Sequence, residues 1–219
     1  MTHKLKTPWP TKAAMEQVYD MKLWGDNQTE FYSGEGSHDP ELVIPYTNAI
    51  ISFLKHFPTP ITVCDLGCGD FNVGKHLVIH TAHYIAADIV TDLIAYNTQT
   101  FTTHTNLEFQ CLDIAVDTLP SGDCAILRQV LQHLSNKEIQ HILKKLTAFK
   151  YVIITEHIPE GDFTPNVDII SGQGIRLKKK SGVNVLAPPF YFKSCNITEL
   201  LRVTPKQSPG VIVTTCYTR

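Results

Sequence analysis

The chain contains no apolar run long enough to cross a bilayer, which takes about 20 consecutive residues. It also lacks a charge excess: 19 Lys and Arg stand against 21 Asp and Glu, a net charge of -2. The first absence excludes a membrane-spanning helix. The second argues against broad electrostatic capture of nucleic acid or of an anionic membrane. No secretory leader pattern is present, so the six cysteines are expected to stay reduced in a cytoplasmic protein. Cys64, Cys111, Cys124 and Cys216 lie in or beside apolar runs, as buried thiols do. No cysteine or histidine completes a zinc spacing around Cys64 and Cys68, and no metal is expected.

What is present is one core's worth of apolar sequence, 43% of 219 residues, enough for a single good-sized domain with at most a small cap. The stretch Val63-Cys-Asp-Leu-Gly-Cys-Gly-Asp70 carries the most information. A short apolar strand runs into an acid, two glycines one residue apart, and a segment expected to be helical. Gly67 and Gly69 permit a sharp turn and a close backbone approach. Asp65 and Asp70 would repel a phosphate. Asn72 stands where a dinucleotide fingerprint requires its third glycine, and no lysine follows in the manner of a nucleotide triphosphate loop. The turn therefore suits a nucleoside-type cofactor without a pyrophosphate.

The pattern divides the chain. Residues 1–10 read as a loose tail and 11–24 as an amphipathic helix with Ala14, Val18, Met21 and Trp24 on one stripe. Polar sequence follows to Asp39, where Asp39-Pro40 caps a second helix running to about residue 57, with Pro45 expected to distort its start. Strands are expected at 61–66, 84–87, 107–112, 123–127 and 151–155, alternating with helices at 72–80, 91–101 and 135–149. Ser135 and Glu138 form a capping box for the last of these. This rhythm predicts a parallel sheet covered on both faces. Residues 157–193, rich in glycine, proline and charge, break the rhythm. Strands at 199–204 and 211–217, joined by a tight turn, must then pair antiparallel. The basic run from Arg176 to Lys180 reads as a solvated loop or hairpin edge.

Polar residues collect at strand ends, where parallel sheets bind ligands. Asp88 can accept from both hydroxyls of a ribose. Asp113 offers an acceptor suited to an adenine amino group, with Ile89 and Ile114 placed to sandwich the base. Each carboxylate has a plainer reading as a helix or turn cap.

Taken in order, Asp65-Leu-Gly-Cys-Gly-Asp70, Asp88, Leu112-Asp-Ile114 and Leu127-Arg-Gln-Val-Leu-Gln-His-Leu134 resemble the successive motifs of class I S-adenosylmethionine-dependent methyltransferases. The resemblance spans residues 61–219 and implies a doubly wound, mostly parallel seven-stranded sheet with an antiparallel C-terminal pair and a helical N-terminal lid. It implies that Gly67 and Gly69 approach the methionine part of the cofactor, that Asp88 holds its ribose, and that Asp113 meets adenine. Arg128 and Gln129 would lie behind the sulfonium. Asp65 and Cys68 belong to the same turn and count among the expected cofactor contacts. The Pro-Pro motif of amino-methylating DNA enzymes is missing after the fourth strand, and Ala187-Pro-Pro-Phe190 comes too late to replace it.

Residues 1–60 then form the lid and pocket rim, 61–219 the methyltransferase-like domain, and 157–193 a substrate-covering insertion. Tyr19, Trp24, Phe31 and Tyr32 either face the sulfonium or pack the lid on the sheet. Direct displacement from a sulfonium needs alignment, exclusion of water and sometimes a base. His157, Glu156, His133 and His38 are the base candidates. Tyr32, Arg128, Glu156 and Arg176 are the candidates for holding a polar small-molecule acceptor, methylated on oxygen or nitrogen. Three rivals remain. A nicotinamide enzyme would need its pyrophosphate to tolerate Asp70. A non-catalytic fold relative would serve as a partner protein. An RNA methyltransferase would need a basic face, for which 176–180 with Lys193 and Arg202 offer a small patch, while the mixed charges of 157–193 also permit a peptide acceptor.

Overall fold

Seven short segments dense in β-branched and other apolar residues pair into one sheet. They are β1 (Thr62–Leu66), β2 (His83–Asp88), β3 (Leu107–Cys111), β4 (Cys124–Arg128), β5 (Tyr151–Ile158), β6 (Asn196–Val203) and β7 (Val211–Thr218), in the spatial order β3-β2-β1-β4-β5-β7-β6. The first five run parallel, while β7 is antiparallel to both β5 and β6. The structure, a computed structural model, describes residues 9–219. Most of the expected loose tail therefore lies outside the described residues.

The two-residue period of a strand sends alternate side chains to opposite faces, and the core divides accordingly. Leu66, Ile85, Ala87, Leu127 and Ile154 face one side with Ile139, Ile142 and Leu146 of helix α5 (Asn136–Leu146). In chain order the earlier helices are α1 (Thr11–Asp20), α2 (Glu35–His38), α3 (Pro40–Lys55) and α4 (Thr91–Thr100). Met15 and Tyr19 of α1 and Leu93 of α4 belong to the same side as α5. Val63, Tyr84, Ala86, Ile126 and Ile153 face the other, against Tyr46, Ile50 and Leu54 of α3. β1 lies between β2 and β4, so the chain winds outward to β3 and then returns across it. That reversal opens a crevice at the strand carboxyl ends.

The sheet, the antiparallel pair and the Ser135–Glu138 capping box match the pattern expected from sequence. Other elements differ. The helix expected at 72–80 is two short 3₁₀ turns, Gly74–His76 and Val78–His80, with Leu77 N–H donating to Gly74 O and His80 N–H to Leu77 O. Gly74 is pressed against the Phe71 ring, and Val73, Val78 and Ile79 are β-branched, so neither space nor propensity favours a longer helix. α3 runs through Pro45 without ending. β5 extends to Ile158 because β7 pairs with it as far as Ile158↔Val211. Glu156 and His157 therefore sit inside the strand rather than past its end. Among the described residues no helix is long and apolar enough to cross a membrane, and no group of three or more His, Cys, Asp or Glu side chains is placed to hold a metal.

Candidate active site

The crevice is a cavity of about 580 Å³, floored by the 67–69 turn and the ends of β2 and β4. The turn is fixed from several directions. Gly67 N–H and Cys68 N–H both donate to Ala87 O, at 2.8 and 3.0 Å. Gly69 has a left-handed φ of 56°. Its N–H donates to Asp88 Oδ2 at 3.1 Å, and its carbonyl accepts from Asn97 Nδ2 at 2.8 Å. A side chain at either glycine would overlap a neighbour, Val130 at Gly67 and Ser33 at Gly69. The backbone itself thus forms the cavity floor. Asp88 Oδ1 accepts from Val90 N–H at 3.1 Å. Burial pushes the Asp88 carboxyl above its ordinary value, and the N–H groups of Val90 and Gly69 pull it back.

Further along the floor lie Ile89, Asp113 and Ile114, and the far wall is Gln129, Val130 and His133. Gln129 takes a left-handed φ of 57° while its N–H donates to Thr155 O at 2.7 Å. Arg128 also borders the cavity, but its guanidinium lies 4.7 Å over the Tyr46 ring and donates to Gly36 O and Ser37 Oγ, holding α2 in place.

The N-terminal segment forms the roof. Met15, Tyr19 and Trp24 line the cavity. Trp24 packs between Tyr19 and His133, with ring centroids 5.4 and 5.1 Å away. The rim is latched to the turn: Ser33 N–H donates to Asp70 Oδ2, Asp70 N–H donates to Ser33 Oγ, and His38 Nε2 lies 2.6 Å from Asp70 Oδ2. Glu138 ties the roof to the insertion, since its carboxylate accepts from Thr11 of α1, Ser135 and Ser171.

Thirteen of the residues singled out in the sequence line this one cavity: Tyr19, Trp24, Gly67, Cys68, Gly69, Asp88, Ile89, Asp113, Ile114, Arg128, Gln129, His133 and His157. Five do not. Asp65 lies behind the turn beside a separate cavity of about 30 Å³, where its Oδ2 accepts from Tyr84 OH at 2.8 Å and burial raises its pKa to about 6. Tyr32 packs its ring on His38, and His38 is engaged with Asp70. Glu156 points into the protein, accepting from Leu131 N–H at 3.1 Å. Arg176 is 1% exposed. Its guanidinium donates five hydrogen bonds, to the carbonyls of Val167, Leu131, Gln132 and Leu134 and to Asn136 Oδ1. The basic run is therefore solvated only from Lys178 to Lys180, and Arg176 is its internal anchor.

Sequence reasoning missed Ser33, Asn97 and Gln132. Asn97 had a readable signal: it follows Leu93 and Ile94 on the buried stripe of α4, where a polar side chain needs a partner. Ser33 Oγ and Gln132 Oε1 accept from the main-chain N–H groups of Asp70 and His157, partners that leave no side-chain signal.

No protein-family model matches the sequence, and no curated protein does. Solved structures do. The N-methyltransferase NodS from Bradyrhizobium japonicum WM9, in complex with S-adenosyl-L-homocysteine, superposes with a TM-score of 0.68 at 11% identity, over 94% of this chain and 98% of that one. Magnesium protoporphyrin IX methyltransferase from Synechocystis PCC 6803, with the same ligand bound, gives 0.61 at 13% identity over 96% and 100%. Human N-acetylserotonin methyltransferase, in complex with S-adenosylmethionine, gives 0.55 at 16% over 94% and 63%. The chain has the class I S-adenosylmethionine-dependent methyltransferase fold.

Proposed function

We propose that this protein is an enzyme that transfers the methyl group of S-adenosylmethionine to an oxygen or nitrogen of a polar small molecule. One observation carries the reading: the two-glycine turn, Asp88 and Asp113 meet in a single roofed cavity. The residues fit the cofactor. A floor of backbone admits the methionine part at Gly67 and Gly69, because a side chain there would fill the space. Asp88 keeps lone pairs for ribose hydroxyls beyond those taken by Gly69 and Val90. Ile89 and Ile114, which line the cavity with Asp113 between them in the sequence order of the floor, would bracket the adenine, and Asp113 would meet its edge. When bound, the sulfonium supplies a methyl group to displacement by a lone pair and leaves as a thioether.

The protein's part is to orient and to exclude water. Tyr19 and Trp24 close the roof with aromatic surface, suitable company for a cation. Gln129, left-handed just past the end of β4, is fixed in the wall by its N–H bond to Thr155 O. A small acceptor suits the net charge of -2 and the burial of Arg176, which removes one cation from any basic face. Calorimetric titration with S-adenosylmethionine and S-adenosylhomocysteine, with NADH as control, tests the reading. Micromolar binding of an adenosyl ligand, lost in Asp88→Ala, is expected. No heat with either adenosyl ligand, or tight NADH binding, would overturn it.

A further inference from the structure

Geometry sorts the four base candidates. His38 is spent on Asp70 and lies outside the cavity lining. Glu156 is turned inward to Leu131. His133 borders the cavity, but its ring packs on Trp24 and its Nε2 faces Gln132 Nε2 at 3.3 Å. An amide NH₂ can only donate, so that nitrogen of His133 is already used as an acceptor. Burial lowers the His133 pKa to about 4.

His157 differs. It is 8% exposed and lines the cavity at the end of β5. Its Nε2 lies 2.9 Å from Pro209 O. A carbonyl only accepts, so Nε2 carries the hydrogen and the lone pair of the neutral ring is on Nδ1. Among the described residues no group hydrogen-bonds Nδ1. The backbone is held as well, because His157 N–H donates to Gln132 Oε1 at 3.2 Å. Gly210 makes the arrangement possible. Its φ is 95°, and a side chain there would overlap the Ile158 carbonyl and crowd His157 Nε2. Only glycine lets the β6–β7 turn set Pro209 onto the ring.

We infer that His157 Nδ1 takes the proton of the methyl acceptor, and that the acceptor is therefore an amine or hydroxyl rather than a carboxylate. This rests on the methyltransferase reading. The acceptor's lone pair forms the new bond to the methyl carbon, the carbon–sulfur pair returns to sulfur, and the displaced proton passes to Nδ1, then to solvent. A carboxylate is already ionised at neutral pH and has no proton to give. It would want a buried cation instead. The lining cations among the described residues are Arg128, committed to Gly36 and Ser37, and Lys178, which is exposed. Glu35 and Asp39 also line the cavity and favour an amine over an acid. The groups facing the ring are uncharged: Gln132 from the segment after β4, Ile212 opposite on β7, and Pro209. Burial holds the imidazole below its usual range, with the Pro209 carbonyl pulling the other way. The ring is thus unprotonated at neutral pH.

The first test is ¹⁵N correlation spectroscopy of imidazole-labelled protein, with His157→Gln assigning the signals. The Nε2–H form is expected, and Gly210→Ala should release it toward a mixture. A ring carrying its hydrogen on Nδ1 would overturn the inference. The second test is labelled-methyl transfer from S-adenosylmethionine to a panel of primary amines, phenols and carboxylic acids. Amines or phenols should react, with a rate that falls as pH drops through the His157 pKa. His157→Gln should lower kcat by about a hundredfold to ten-thousandfold and leave S-adenosylhomocysteine affinity within about twofold. Reaction of the carboxylic acids alone, or an undiminished kcat in His157→Gln, would refute it. Loss of adenosyl-ligand binding by the unaltered protein would strike the methyltransferase reading instead, and the tautomer measurement stands apart from that.

Discussion

Replacing Glu156 with glutamine should change how stability depends on pH. The carboxyl is 4% exposed, accepts one hydrogen bond from Leu131 N–H, and among the described residues has no partner for Oε2. Burial raises its pKa from 4.5 to about 8, against the pull of Arg176. An acid whose pKa rises on folding binds its proton more tightly in the native state. Its burial therefore costs nothing extra below the unfolded value, and stability drains away as pH climbs from 4.5 to about 8. At about 1.4 kcal/mol per unit, that window is worth on the order of 4–5 kcal/mol. Glutamine imitates the protonated acid in charge and in the acceptor it keeps for Leu131, while its amide buries two N–H hydrogens where the acid buries one O–H. Urea unfolding at about pH 5, 7 and 8.5 reads the difference. The two proteins should coincide near the low end, and the variant should lead by about 3 kcal/mol at about pH 7 and by more above it. Curves that run parallel at every pH would mean that Glu156 stays ionised beside Arg176, and the reasoning would fail.

Gly69→Ala forces a side chain into a left-handed turn at a cost of about 1–2 kcal/mol and against Ser33. Adenosyl-ligand affinity measured by calorimetry should fall about tenfold or more, and unchanged affinity would contradict the proposed floor. Asn97→Leu leaves the Gly69 carbonyl without its donor, and urea unfolding should report a loss of about 1–3 kcal/mol together with weaker S-adenosylhomocysteine binding. Arg176→Met abandons five hydrogen bonds at one buried guanidinium and should destabilise by about 3 kcal/mol or more. Lys178→Met on the exposed rim should stay within about 0.5 kcal/mol in the same unfolding assay.

The strands that carry the cavity floor were legible because each is a short, nearly continuous apolar run ending in a polar residue. Parallel strands buried on both faces leave that signature, as 63–66 before Gly67 and 84–87 before Asp88 illustrate. The turn was legible because its geometry demands glycine. The true length of β5 was not, since Glu156 and His157 are held in it by β7, more than fifty residues later. Arg176 was hidden for a related reason. Its partners are main-chain carbonyls, which every residue possesses, so nothing in the side-chain sequence of 131–136 marks them. The 72–80 segment misled because apolar spacing alone does not separate a helix from two tight turns packed around Phe71 and Gly74.

Glu138 begins as a helix cap and ends as a mechanical joint. One carboxylate accepts from Thr11 at the front of α1 and from Ser171 between β5 and β6, so the cavity roof and the 157–193 segment hang from the same pin. Neither can lift alone without stripping a bond from that pin.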